Sequence, residues 1–141
     1  MPDSDRSSRA EFWLKLLLQI IGVGGICALP VLLLPQEAMS QIHTSLGLGI
    51  FPREPIMNYL TRSLAMFYAI CGLGTFVISL DVNRYRPLIK LWAALAVLKG
   101  LIMLGIDLHA EMPWWWTLPE ASSSIFVGLI VFALAQRVEE K

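Results

Sequence analysis

A chain of 141 residues that is 56% hydrophobic, 16% charged and of zero formal charge, with a mean hydropathy of +0.63, lies far outside the composition of a soluble domain. It carries no Lys/Arg run able to neutralise a phosphate backbone, so nucleic acid is not an expected partner. Four long apolar runs consume most of the chain and leave room for one membrane domain, residues 1–141, without a separate soluble one.

The first run, Phe12 to Leu34, is introduced by a polar head carrying Arg6 and Arg9. It is longer than the core of a secretory signal, and Leu32-Leu33-Leu34-Pro35 offers no small-residue cleavage site, so a retained helix is expected. Ser8 and Glu11 fit a capping box at its start, and Pro30 is expected to kink its outer third. Lipidation patterns are missing: the chain has no Met-Gly start and no terminal Cys box. Between the first and second runs, Ala38, Met39, Ile42 and Leu46 recur at helical spacing within Glu37 to Leu46, while Glu37, Ser40, Gln41 and Thr44 are polar. That pattern predicts a short interfacial helix in the first outer loop. The following Leu46 to Pro52 segment lacks periodicity and reads as chain lying in the headgroup layer.

The second run, Tyr59 to Leu80, is joined to the third, Leu88 to Asp107, by the short link Asp81-Val-Asn-Arg-Tyr-Arg-Pro87, with Pro87 suited to a first helical turn. A short link makes antiparallel neighbours of the two helices. The third run spans about 20 residues, enough at ~1.5 Å per residue to cross a ~30 Å hydrocarbon layer. The fourth, Leu118 to Ala135, opens on Thr117 and Glu120, which fit a second capping box with Pro119 tolerated in the first turn. The expected fold is an all-α membrane protein, a four-transmembrane-helix up-down bundle. Contacts between its helices are expected at the small-residue pairs Gly24/Ala28, Ala65/Ala69 and Ala96/Gly100.

Lys and Arg flank the spans unevenly. The N-terminal segment has Arg6, Arg9 and Lys15, the second connection Arg84, Arg86 and Lys90, and the C-terminus Arg137 and Lys141, whereas the first connection has Arg53 and Arg62 and the third neither residue. Both termini are therefore expected in the cytoplasm. Trp114, Trp115 and Trp116 then become an anchor at the outer membrane interface.

Lys99 is the strongest anomaly. A lysine at a helix centre costs ~2.5–3.5 kcal/mol on insertion scales, so it is expected to face the bundle, a cavity or a partner. Residues at matching depth, Tyr68, Cys71, Gly24, Gly25, Ser124 and Gly128, include no carboxylate. Asp107 is about 12 Å further along the axis, on the side from which a helical side chain leans away. Either a hydroxyl or backbone carbonyl takes the amine's hydrogen bond, or a ligand or partner supplies the opposing group; a snorkelling lysine is the structural alternative.

A second polar group gathers at the outer ends: Arg62, Asp107, His109, Glu111 and Glu120. An ion pair of Arg62 with Asp107 or Glu120 would lower the cost of placing these charges near hydrocarbon. The functional version is an outward-opening pocket in which Arg62 recognises an anionic or polar head and Asp107 or Glu120 exchanges protons. Asp107, His109 and Glu111, with His43, are poorly spaced for a metal, and none is expected. Cys27 and Cys71 sit in different spans without a C-x-x-C motif and read as small packing residues. No catalytic motif and no cofactor signature is present.

The blocks Asp81-Val-Asn-Arg-Tyr-Arg-Pro87 and Gly105-Ile-Asp-Leu-His-Ala-Glu-Met-Pro-Trp-Trp-Trp-Thr117 resemble signature blocks of small uncharacterised bacterial four-span membrane proteins of the planctomycete-like kind. The likeness covers roughly the second to fourth helices and implies a bacterial inner-membrane home. In architecture alone the chain is also similar to DoxX-like proteins, whose redox cysteines it lacks, and no catalytic residue is carried over. The leading expectation is a non-enzymatic accessory or structural subunit in a lipid bilayer, held in a larger membrane complex or a homo-oligomer. A lipid-like small-molecule binder, or an enzyme using the outer pocket, is the alternative.

Overall fold

A computed structural model describes residues 2–138, which places Lys141 outside the described residues. Five α-helices account for most of the chain: α1 (Pro2–Ile26), α2 (Gln36–Ser45), α3 (Pro55–Ser79), α4 (Arg86–His109) and α5 (Trp114–Arg137), with a 3₁₀ turn over Leu29–Leu32. There is no strand among the described residues. Among the described residues, four segments are long and apolar enough to cross a membrane: Arg6–Leu32, Pro55–Ser79, Arg86–His109 and Trp114–Arg137. This is an all-helical, multi-pass membrane protein, and α2 is the short helix expected between the first two spans.

The chain divides into two compact units, one of residues 1–18 with 78–141 and one of residues 19–77. In the first, α4 and α5 pack antiparallel. Ile89, Ala93, Gly100 and Asp107 are the buried residues of α4, and Thr117, Ala121, Gly128, Val131 and Ala135 those of α5. The spacing of threes, fours and sevens is that of two helices meeting along a shallow left-handed seam. Glycine is required where the backbones touch. A Cβ at Gly128 would stand 2.8 Å from the Ala93 carbonyl oxygen, and one at Gly100 would stand 2.9 Å from that of Ala121. Between these glycines the Ser124 hydroxyl donates to the Ala96 carbonyl at 2.9 Å, an interhelical bond in a medium that offers no water in its place.

The ends of this unit are tied by polar groups. Arg86 Nε donates to the Ala135 carbonyl at 3.0 Å, and Asn83 Nδ2 donates to Glu11 Oε1 at 2.9 Å. The basic N-terminal segment, the 80–85 turn and the end of α5 therefore meet at one end of the unit. In the second unit, α1 and α3 also run antiparallel, at Gly22, Gly25 and Gly72: a Cβ at Gly72 would lie 2.6 Å from the Gly22 carbonyl oxygen. Large apolar side chains such as Phe67, Ile70, Leu101 and Phe126 are exposed while the buried set is rich in alanine and glycine, as expected where lipid rather than water surrounds the helices.

Several local expectations are corrected. Neither capping box forms. α1 starts at Pro2, so Ser8 and Glu11 lie inside it, and Glu11 serves Asn83 instead. α5 starts at Trp114 with Pro113 at its N-cap, so Thr117 and Glu120 are helix-interior and Pro119 lies beyond the first turn. Pro119 has no N–H for the Trp115 carbonyl, a loss that a helix tolerates when its neighbours hold it. Pro30 does not kink an α-helix; the α-helix stops at Ile26 and Pro30 belongs to the 3₁₀ turn. Gly24 has open space around its Cβ position, and the close contacts fall on Gly22 and Gly25. Ala65 and Ala69 are buried as expected, and so is Gly100.

Candidate functional site

Arg62, Asp107, His109, Glu111 and Glu120 stand in distinct environments. Arg62, one to two turns inside α3, donates from Nε to Asn58 Oδ1 at 2.7 Å and from Nη2 to the Leu34 carbonyl at 2.9 Å, and its Nη1 donates to the Leu32 carbonyl. These carbonyls close the 3₁₀ turn and the stretch after it, where main-chain acceptors have no helical donor. Arg62 therefore acts as a strap on residues 32–34. Within its own unit, then, its guanidinium is engaged by charge-assisted bonds to backbone carbonyls.

Asp107 is 4% exposed, and its Oδ2 has no hydrogen-bond partner among the described residues. Its position follows from the seam: it continues the Ala93–Gly100 row, a heptad further on. The α4–α5 register brings it level with the first turn of α5. Thr117, 5% exposed, lies on the facing row, and its Oγ1 is also buried without a partner. Two unsatisfied oxygens thus close one end of the seam, in a setting where such groups ordinarily find partners. Glu120 is half-buried beside them in sequence, while His109 and Glu111 are exposed.

The helix end that holds Asp107 is itself unusual. The Met112 amide donates to the Asp107 carbonyl at 3.0 Å and the Glu111 amide to that of Leu108 at 3.4 Å. This is the paired closure that places one residue in the left-handed region, usually glycine. Here it is Glu111, at φ 53°. Trp114, Trp115 and Trp116 follow as the opening turn of α5, with Trp114 exposed and the Trp115 and Trp116 rings edge to face at 6.2 Å.

Lys99 does not enter the α4–α5 seam. It is exposed, about 100° around α4 from Gly100, and it shares its side of the helix with exposed Leu95, Leu98, Ile102 and Ile106. Ser124, at matching depth, gives its hydroxyl to Ala96. His43 Nδ1 lies 3.1 Å from the Gly49 carbonyl, and its ring meets Phe51 edge to face, a structural use that ties α2 to the loop after it. Among the described residues no group of three His, Cys, Asp or Glu gathers to hold a metal, and Cys27 and Cys71 are free thiols. Heptad spacing from Ala93 and Gly100 of α4 is the signal that leads to Asp107, and one turn back from Ala121 of α5 leads to Thr117. Comparison with protein families, curated sequences and solved structures finds no match to this chain.

Proposed function

We propose that this protein is a non-enzymatic accessory or structural subunit of a bacterial inner membrane, with both termini cytoplasmic, and that α4 docks it to a transmembrane helix of a larger complex. The observation that carries the reading is Lys99, a cation exposed midway along an apolar span. Facing hydrocarbon it would cost ~2.5–3.5 kcal/mol, a cost removed by a partner helix offering a carboxylate or free carbonyl at that depth. Leu95, Leu98, Ile102 and Ile106 supply the apolar rim of such a contact.

A second copy of the chain offers Lys99 no carboxylate at that depth. A two-fold contact on the same face would set Lys99 against Lys99, and the sequence places no Asp or Glu within the middle of any span. The convergence of three basic segments at one end of a unit supports the cytoplasmic assignment through the positive-inside rule. The resemblance to small four-span bacterial proteins belongs to the same proposal.

The test is site-specific crosslinking from Leu95 and Ile102 in native membranes, followed by gentle extraction and native mass spectrometry. A stoichiometric protein adduct that is lost in Lys99→Met, with chain abundance unchanged, supports docking. An adduct pattern and assembly mass indifferent to Lys99→Met overturn it. A second reading, a binder of a lipid-like molecule or an enzyme with an outward-facing polar pocket, is favoured by the unpartnered Asp107 and Thr117 oxygens. It predicts a monomer or homo-oligomer that retains a small-molecule mass in the same spectrum.

A further inference from the structure

The Thr117 hydroxyl is orphaned by the way α5 begins. Other hydroxyls in the spans return to the carbonyl one turn back: Thr61 donates to Met57 and Thr75 to Cys71, each at 2.9 Å, and Ser122 donates to Leu118. For Thr117 that acceptor is the Pro113 carbonyl, which already receives the Trp116 amide at 2.9 Å and the Thr117 amide at 3.1 Å. Both lone pairs of that oxygen are taken, and Thr117 Oγ1 is left buried without a partner among the described residues. Asp107 Oδ2 on α4 is in the same condition.

The register of the seam sets the two at one level. Gly128 meets Ala93 and Gly100 meets Ala121, so a step of seven residues forward along α4 matches seven back along α5. A further such step carries Gly100 to Asp107 and Ala121 to the opening turn of α5, where Thr117 is the buried residue. Both helices belong to the same compact unit, and Leu108 to Glu111 beside the pair are exposed, which gives this end of the seam access to water.

We propose that Asp107 Oδ2 and Thr117 Oγ1 are two ligands of a site for a monovalent cation of the sodium kind. Carboxylate and hydroxyl are hard oxygens, the donors that hard cations take. A carboxylate enclosed in a span is costly until a positive charge opposes it. Water could answer both hydrogen-bonding needs and would leave that charge standing; one carboxylate balances one positive charge and leaves a divalent ion half neutralised. The ion is small, because the helix backbones touch one heptad away at Gly100 and an organic ammonium needs a pocket. Water from the exposed turn completes the coordination shell. The site does not rest on docking at Lys99, which lies outside the seam.

The test measures binding of radioactive sodium to the full chain in detergent micelles. Thermal unfolding is followed alongside by tryptophan fluorescence, in sodium chloride and in choline chloride of equal ionic strength. The parent chain is expected to bind sodium saturably and stoichiometrically and to melt higher in sodium than in choline, since an ion held only by the folded state stabilises it. Asp107→Asn is expected to weaken sodium binding by more than about a hundredfold and to erase the difference between the salts while matching the parent in choline. Thr117→Val is expected to weaken binding about tenfold, and Thr117→Ser, which keeps the hydroxyl, to restore it; this pair decides the matter if the Asn variant does not fold. Glu111→Gln, at an exposed carboxylate on the adjoining turn, is expected to bind as the parent does. No saturable sodium binding by the parent, the result that water or a proton at Asp107 would give, overturns the site. So does undiminished binding by Asp107→Asn, and a loss in Glu111→Gln as large as in Asp107→Asn overturns it in favour of general surface charge.

Discussion

Gly128→Ala is the sharpest probe of the α4–α5 seam. The added Cβ would lie 2.8 Å from the Ala93 carbonyl oxygen, 2.8 Å from Val97 Cγ2 and 3.1 Å from the Val97 amide nitrogen. Two of those three atoms are backbone and cannot turn away, so the helices must part by about half an ångström or more to reach ordinary contact. Overpacking of this kind costs about 1–3 kcal/mol. Separation also stretches the Ser124–Ala96 bond one turn away, a class of interaction worth about 0.6 kcal/mol on average in membranes. A loss of about 2–3 kcal/mol follows, partly offset by the better helix propensity of alanine, ~1 kcal/mol. The control is Gly105→Ala, on α4, where nothing lies within 4 Å of the new Cβ. It keeps only the propensity gain and is expected to be neutral or slightly stabilising. Reversible unfolding in mixed micelles, read by tryptophan fluorescence, compares the two. Equal stability for Gly128→Ala and Gly105→Ala would refute backbone contact at Gly128.

Two further outcomes are expected at the end of the seam occupied by Asp107. Glu111→Gly relieves a left-handed backbone at φ 53° and is expected to raise stability by about 1 kcal/mol in the same assay; a loss would mean that the Glu111 side chain holds that turn. Asp107→Asn removes no hydrogen bond from Oδ2, so stability is expected to hold or rise by up to about 1 kcal/mol, whereas a fall beyond about 2 kcal/mol would reveal a partner for the carboxyl.

Much of the outline was written along the chain. Each span's existence follows from its apolar length, α2 from helical spacing over Glu37 to Leu46, and the Pro87 start of α4 from proline's fit to a first turn. Boundaries were less legible. The two capping-box patterns are short and occur by chance inside helices, and the tryptophan triplet, amphipathic and compatible with loop or helix, concealed the start of α5. Arg6 and Arg137 line one cleft but were visible in the sequence only as a topological count, because nothing along the chain brings them together.

The facing of each span was not written there. In water, an apolar stripe opposite a polar one tells a helix which way to turn; a membrane helix is apolar on all sides, and that signal vanishes. Composition alone therefore determined a multi-pass helical protein with a mid-span lysine and an aromatic end. Tertiary packing decided that Gly100 and Gly128 meet, that Asp107 is carried inward with them, that Arg62 is taken up by backbone carbonyls, and that Lys99 is left outside. Close backbone approach is possible only along a row of small residues, and the rotation that brings those rows together places every other side chain.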